Sequence, residues 1–207
     1  MELAFIRLDR DTTWIYFYEG IRNIQDLVYV EDRFFAISDF NQLVSFTPQY
    51  NPEDDLKVAA QYFEEEEEAV IKRYLVELSD HKELLMVHRY LDNRHNIHGK
   101  RFTTKIELYT LDADKHKWTK INSLGGAALF LGENSSISLL ASEVLGCLPD
   151  CICFIHDFNR VPCKRPRDFG LYNIKTEKFL QIDDTQAATL IKMSNRTPIW
   201  AVANIKL

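Results

Sequence analysis

Asp26-Leu27-Val28-Tyr29-Val30-Glu31-Asp32-Arg33-Phe34-Phe35-Ala36-Ile37 reads as two short runs of apolar, aromatic and β-branched residues around a two-residue polar break. Side chains alternate across a strand, and a brief polar break lets the chain double back, so the pattern is that of a β-hairpin. Leu43-Val44-Ser45-Phe46 follows as the next neighbour, and Trp14-Ile15-Tyr16-Phe17-Tyr18 has the same character upstream. The grammar recurs at Tyr74-Leu75-Val76-Glu77-Leu78, a break from Ser79 to Lys82, and Glu83-Leu84-Leu85-Met86-Val87. It returns at Lys105-Ile106-Glu107-Leu108-Tyr109, a polar turn from Asp112 to Lys115, and Trp118-Thr119-Lys120-Ile121. Cys151-Ile152-Cys153-Phe154-Ile155, then Phe169-Gly170-Leu171-Tyr172-Asn173-Ile174, then Lys178-Phe179-Leu180 complete the set. No stretch reads as a helix of more than about three turns. The best helical candidate, Glu64 to Lys72, reads equally well as an acidic loop running into a strand.

An all-β chain of roughly a dozen or more strands, joined as antiparallel meanders, is the expectation. Strand pairs recur at about 40–45 residues, which suits one four-stranded propeller blade per interval and roughly four to five blades in all. Each blade then buries its apolar face against the next, so the core is shared between neighbours. Only 7 glycines in 207 residues is low for a turn-rich β protein and counts against this reading. A β-sandwich is the structural rival, which strand pattern alone does not separate from a propeller.

The 207 residues are expected to form one domain, or two small ones. With 46% hydrophobic and 27% charged residues the composition is globular and excludes a wholly disordered chain. No apolar run approaches the ~18 residues of a membrane-spanning helix, and no secretory signal is visible at Met1-Glu2-Leu3-Ala4-Phe5-Ile6-Arg7. A reducing cytoplasmic or nuclear setting, with free thiols, is therefore expected. A net charge of −6 lacks the field that attracts phosphate backbones, so neither nucleic acid nor membrane is expected as a partner.

Each chemical constellation has a plainer reading beside it. Cys147, Cys151, Cys153 and Cys163, with His156 among them, raise zinc, but paired ligands do not occur twice over. Cys151 and Cys153 alternate along an apolar strand, the pattern of two buried small hydrophobes. His88, His95 and His98 surround Asp92 in the segment Arg89 to Lys100, which reads as a solvated loop. Gly125-Gly126 lacks phosphate-loop spacing, and the Gly-x-Ser-x-Gly elbow of hydrolases is absent. Trp14, Trp118 and Trp200 read as core anchors. No catalytic residue, metal ligand or cofactor site is assigned, and the chain is not expected to be an enzyme. Two charge runs remain as partner-binding candidates. One is acidic and runs from Glu64 through Glu65 and Glu66 to Glu68. The other is basic, Arg160, Lys164, Arg165 and Arg167 within the segment Asn159 to Asp168. Each reads first as an exposed loop.

The run Lys117-Trp118-Thr119-Lys120-Ile121-Asn122-Ser123-Leu124-Gly125-Gly126-Ala127-Ala128-Leu129-Phe130-Leu131-Gly132-Glu133-Asn134-Ser135-Ser136 resembles the signature of the KIB-type β-propeller domain of plant F-box proteins. There a tryptophan strand leads into a Ser-Leu-Gly turn, a Leu-Phe-Leu-Gly strand and a polar turn. The hairpins at Asp26 to Ile37 and Tyr74 to Val87, with Arg89, resemble the family's early and central ones. Cys151-Ile152-Cys153-Phe154 and Asp168-Phe169-Gly170 resemble its Cys-Ile-Tyr-Phe and Asp-x-Gly, and Pro198-Ile199-Trp200 its closing Pro-x-Trp. The resemblance covers nearly the whole chain. Two departures stand out: no F-box precedes the propeller, and Ile155-His156-Asp157 stands where relatives carry an acidic pair. The first residues resemble the interior of the domain, so an N-terminally truncated, incomplete propeller is expected.

The resemblance implies an adaptor. An F-box grips the Skp subunit of a cullin ubiquitin ligase, and the second domain holds the protein to be ubiquitinated. This chain is expected to be that non-catalytic recognition module, binding a protein substrate or partner, with no direct Skp docking. The alternative is an independent scaffold or competitor not linked to ubiquitination. An open ring leaves a strand edge and an apolar face unpaired, so dimerisation, a tightly bound partner or poor solubility is expected.

Overall fold

A computed structural model describes residues 4–16, 23–38, 42–47, 56–60, 70–78, 82–92, 102–112, 115–132, 136–144, 146–155 and 168–180. The described residues are strands, turns and one short 3-10 turn, Ala141–Glu143. Val70 already belongs to a strand, so the end of the Glu64 to Lys72 candidate is extended chain. No helix among the described residues is long and apolar enough to cross a membrane.

A two-stranded piece comes first, β1 (Ala4–Phe5) with β2 (Ile15–Tyr16). Sheet I is an antiparallel meander of β3 (Ile24–Val30), β4 (Arg33–Ser38), β5 (Leu43–Phe46) and β6 (Lys57–Ala60). Sheet II repeats the plan with β7 (Val70–Leu78), β8 (Glu83–Leu91), β9 (Thr103–Asp112) and β10 (Lys117–Ile121). Sheet III holds β11 (Ala127–Leu131), β12 (Ile137–Leu140), β13 (Cys151–Phe154), β14 (Gly170–Asn173) and β15 (Lys178–Leu180) in the order β12-β11-β13-β14-β15.

Sheets I and II are the expected four-stranded meanders. Sheet III departs from that plan. The β11–β12 hairpin folds to one side, and the chain returns through the 3-10 turn to lay β13 parallel to β11, giving five strands. The parallel pairing needs a connection long enough to cross back, and residues 141–150 supply it.

Sheet II is covered on both faces. Tyr74, Val76, Leu85, Val87, Ile106 and Leu108 meet Leu129, Leu131, Ile152, Phe154 and Tyr172 of sheet III in one buried cluster. On the other face Leu75, Leu84, Met86 and Trp118 meet Val30, Ile37, Leu43 and Ala60 of sheet I. Three stacked sheets with a shared core exclude the two-layer sandwich and fit blades of a partial propeller. Their inner edges converge. The Arg73 and Leu75 amides of β7 donate to Gln25 Oε1 (2.9 Å) and Asp26 Oδ2 (2.8 Å) of β3. The Ser138 hydroxyl of β12 donates to the Glu77 carbonyl of β7 at 2.7 Å.

Of the three tryptophans, Trp118 is a core anchor. Trp14 is 57% exposed, because it leads into a two-residue strand with little sheet to pack on. Trp200 lies outside the described residues.

Candidate functional site

Arg89 sits where the alternation of β8 demands an apolar residue. Leu85, Val87 and Arg89 share the face toward sheet III, and Arg89 is 1% exposed. A buried guanidinium needs partners for its donors. Its Nη2 donates to Asp168 Oδ2 at 2.8 Å, and its Nη1 to the Tyr74 hydroxyl (2.9 Å) and the Ile155 carbonyl (3.1 Å). Its Nε donates to Thr103 Oγ1 at 2.7 Å, and Thr103 in turn donates to Asp168 Oδ2 from its amide (2.9 Å) and hydroxyl (2.6 Å). The guanidinium also lies 4.6 Å from the centre of the Phe154 ring. Opposite that ring stands Gly170, where a Cβ would come within 2.7 Å of Phe154 Cζ. Arg89, Phe154 and Asp168-Phe169-Gly170 are thus one construction: the acid pairs the arginine, and the glycine makes room for the ring.

The other face of sheet II carries a second polar group. Arg73, His88 and Glu107 lie in direct cross-strand register on β7, β8 and β9, and are 3%, 2% and 7% exposed. Glu107 Oε1 accepts from Lys105 (2.8 Å) and Lys120 (2.6 Å), and Oε2 from the Tyr90 (2.6 Å) and Tyr109 (2.8 Å) hydroxyls. Burial pushes this carboxyl up, but the four donors outweigh it and hold it well below the usual carboxylate range. Burial, then the hydrogen bond to Glu107, push the Tyr90 hydroxyl the other way, upward. The His88 ring packs 5.0 Å from that of Tyr109.

Asp150 ties the signature turn. It accepts from Ser123 Oγ (2.9 Å), the Leu124 amide (2.7 Å) and Lys175 Nζ (2.6 Å), while its own carbonyl accepts from the Ile174 amide (3.0 Å). Leu124 is 1% exposed, and Gly125 and Gly126 hold φ of 63° and 95°. Ser123-Leu124-Gly125-Gly126 therefore joins sheets II and III as a structural knot.

Each carboxylate described above is engaged by several donors. Burial pushes the thiols of Cys147, Cys151 and Cys153 up, Cys153 to about 12, so they stay protonated at neutral pH. Cys151 is buried and Cys153 half-buried on one face of β13, as small hydrophobes. Among the described residues no His, Cys, Asp and Glu group could hold a metal ion.

The sequence candidates fall unevenly on this map. Arg89 to Leu91 are strand rather than loop, and His88 faces sheet I. His95, His98, His156 and Cys163 lie outside the described residues, as do Glu64, Glu65 and Glu66 and Arg160, Lys164, Arg165 and Arg167. The feet of the basic segment are described: Ile155 and Asp168, both held by Arg89. The weight carried by Arg89 went unread in the sequence, although its signal was there, a charge continuing the Leu85–Val87 face.

Comparison with known proteins completes the description. A family model, the KIB1-4 beta-propeller, matches residues 1–173. A putative F-box protein of Arabidopsis thaliana is 27% identical over 184 residues, 87% of this chain and 49% of that protein. A probable F-box protein of the same plant is 36% identical over 71 residues, 34% of this chain and 18% of that protein. A third, also named an F-box protein, is 28% identical over 78 residues, 38% and 24% of the two chains. The chain thus spans about half or less of the length of these relatives. No solved structure matches it. Stacked antiparallel sheets, the Ser123–Gly126 knot and the family match over residues 1–173 agree, and the chain belongs to the KIB1-4 beta-propeller family.

Proposed function

We propose that this chain is a non-catalytic protein-interaction module, the partner-holding domain of a plant F-box-type ubiquitin ligase adaptor, working in the cytoplasm or nucleus. The observation that carries the reading is the Arg89 clamp. A buried ion pair there ties Ile155 and Asp168 to sheet II, and a rigid scaffold suits recognition. The kinship with proteins named F-box proteins supports the ligase side. The protonated thiols and donor-saturated carboxylates support the non-catalytic side.

The test is reconstitution. A partner captured from plant tissue is purified and bound to the 207-residue chain, and the chain is also produced with a relative's F-box fused ahead of it. The fused protein is expected to bind a plant Skp-type protein and promote ubiquitination of that partner, while the chain alone binds the partner and not Skp. Direct Skp binding by the chain alone, or turnover of a small molecule by it, would overturn the reading.

A further inference from the structure

We infer that Lys105 and Lys120, gathered on Glu107, form a seat for a carboxylate carried by the partner protein. The inference rests on the interaction-module reading and names one contact that module makes. Sheet I covers one end of this face of sheet II, over Leu84, Met86 and Trp118, with Tyr109 packed at the margin. Beyond Tyr109 the face turns polar, and Glu107 stands at the centre of four donors. Alternation puts all of them on its side of the sheet. Lys105 and Tyr109 lie two residues either way along β9, Tyr90 stands opposite Lys105 on β8, and Lys120 stands opposite Tyr109 on β10. The Tyr90 and Tyr109 hydroxyls donate to Oε2 at 2.6 and 2.8 Å. Both ammoniums meet on Oε1, Lys105 at 2.8 Å and Lys120 at 2.6 Å. Glu107 itself is buried, while the two lysines that reach it from different strands stay half-exposed. The Lys105 ammonium is steadied further by the Tyr90 ring, 5.1 Å from its centre.

Charge and geometry set the ligand. Among the described residues, Glu107 is the acid that both lysines reach, so one negative charge is divided between two positive ones. The tyrosines add none: burial, then the bond to Glu107, push the Tyr90 hydroxyl up and keep it a neutral donor. Two ammoniums held on one oxygen repel each other, and a second carboxylate that touches both from the solvent side restores the balance. An ammonium has three donors, and the bond to Glu107 takes one from each lysine. Pinned side chains lose little further freedom when a ligand arrives, which favours binding. Arg73, in register with His88 and Glu107, adds a positive charge further along the same row. In a chain of net charge −6, a locally positive spot steers an acidic residue to itself, while the body repels that residue elsewhere. A carboxylate matches a single surplus charge. A dianionic phosphoryl group brings its second charge against Glu107 and gains less.

The probe is a capped Gly-Glu-Gly tripeptide, titrated into the 207-residue chain carrying carbon-13 at its lysine ε-carbons and followed by NMR. The Lys105 and Lys120 signals are assigned from their glutamine variants. Both are expected to move together and to saturate in the millimolar range, and added salt is expected to weaken the binding. A Gly-Gln-Gly probe is expected to leave them in place. Lys120→Gln keeps a donor for Glu107 and removes one charge, and is expected to weaken binding about fivefold. Lys117→Gln, on the same strand with its side chain on the other face, is expected to leave it unchanged. Melting temperatures are recorded alongside, and if Lys120→Gln does not fold, Lys105→Gln is measured in its place. Equal shifts with the glutamine probe overturn the seat. An equal loss in Lys117→Gln reduces the effect to net charge and overturns it as well. Binding of a Gly-phosphoserine-Gly probe more than about tenfold tighter overturns the carboxylate as its occupant. No arm involves Skp, ubiquitin or a captured partner, so failure of the seat leaves the interaction-module reading standing, and failure of the reconstitution leaves the tripeptide result as measured.

Discussion

Asn23, Glu31, Asp32, Lys82, His116, Asp150 and Glu177 hold positive φ, where an L side chain crowds its own carbonyl. Three of them end the same hairpin. The closing pairs Leu78↔Glu83, Asp112↔Lys117 and Asn173↔Lys178 each enclose four residues, and the last of each loop, Lys82, His116 and Glu177, is left-handed. In two, a side chain at the start accepts an amide three residues on, Asp112 from Lys115 at 3.1 Å and Asn173 from Thr176 at 2.9 Å. Polar residues therefore do the work usually given to glycine, which is why the low glycine count misleads as an argument against a turn-rich β fold. Glu177→Gly relieves strain of about 1–2 kcal/mol against an entropic loss of ~0.5–1 kcal/mol. It is expected to raise the urea midpoint by a stabilisation of about 0.5–1 kcal/mol at unchanged m-value, and a lowered midpoint would refute the strain account. Glu107 tests the other half of the residue chemistry. Its carboxyl is depressed in the folded state, so its stabilisation is complete above the unfolded pKa of about 4.3 and is lost as pH falls through the folded value. Glu107→Gln is expected to cost about 1–2 kcal/mol at pH 7. Below pH ~4.3 the difference between wild type and variant should shrink, a trend read from melting temperatures across the acid range.

Strands show how the sheets protect their edges. The inner edge of β7 would expose amides, and side chains of β3 cover them: Gln25 takes that of Arg73 and Asp26 that of Leu75. Leu75 is 1% exposed, so losing the acceptor strands a buried donor. Asp26→Ala is expected to destabilise by about 1–3 kcal/mol and to raise hydrogen exchange at the Leu75 amide above that at Val76. Uniform exchange along β7 would show that the cap does not act there. At the outer edges β6, β10 and β15 each begin with an exposed lysine, Lys57, Lys117 and Lys178, which discourages pairing with another chain. Hairpins were legible in the sequence because alternation and turn chemistry are local, as at Val30↔Arg33 around Glu31 and Asp32. The parallel seating of β13 on β11 was not, since nothing near Ala128 or Cys151 announces a partner across a ten-residue crossover. For the same reason Arg89 was visible as a charge on an apolar face, while Asp168, its partner 79 residues away, was not.

At the scale of the molecule, three sheets in a stack bury the faces between them and leave two faces outside. On sheet I the outward face is buried where Ile24, Ala36 and Val44 cluster with Leu56 and where Phe5 of β1 lies on Phe46, and is exposed only in part. Tyr29, Phe34, Phe46 and Phe5 form a chain of ring contacts at 4.8, 5.2 and 6.3 Å. Leu27, Tyr29 and Val58 are 40%, 46% and 59% exposed along it. On sheet III the outward face carries Phe130, Ile137, Leu139, Leu171 and Leu180, all half-buried. The exposed parts of these two faces are of the kind that sheet II already accepts on either side, so a second copy can repeat the contact, sheet III of one on sheet I of the other. Association of the 207-residue chain is therefore expected to grow with concentration, followed by light scattering and sedimentation. Leu139→Lys places a charge on the outward face of β12 and is expected to shift the population toward monomer at unchanged melting temperature, because Leu139 is turned away from the shared core. A monomer at every concentration reached would mean that these faces are covered within a single copy. Loss of folding in Leu139→Lys would mean that the outward face belongs to the core. Either result would break the analogy between the open faces and the two that sheet II fills.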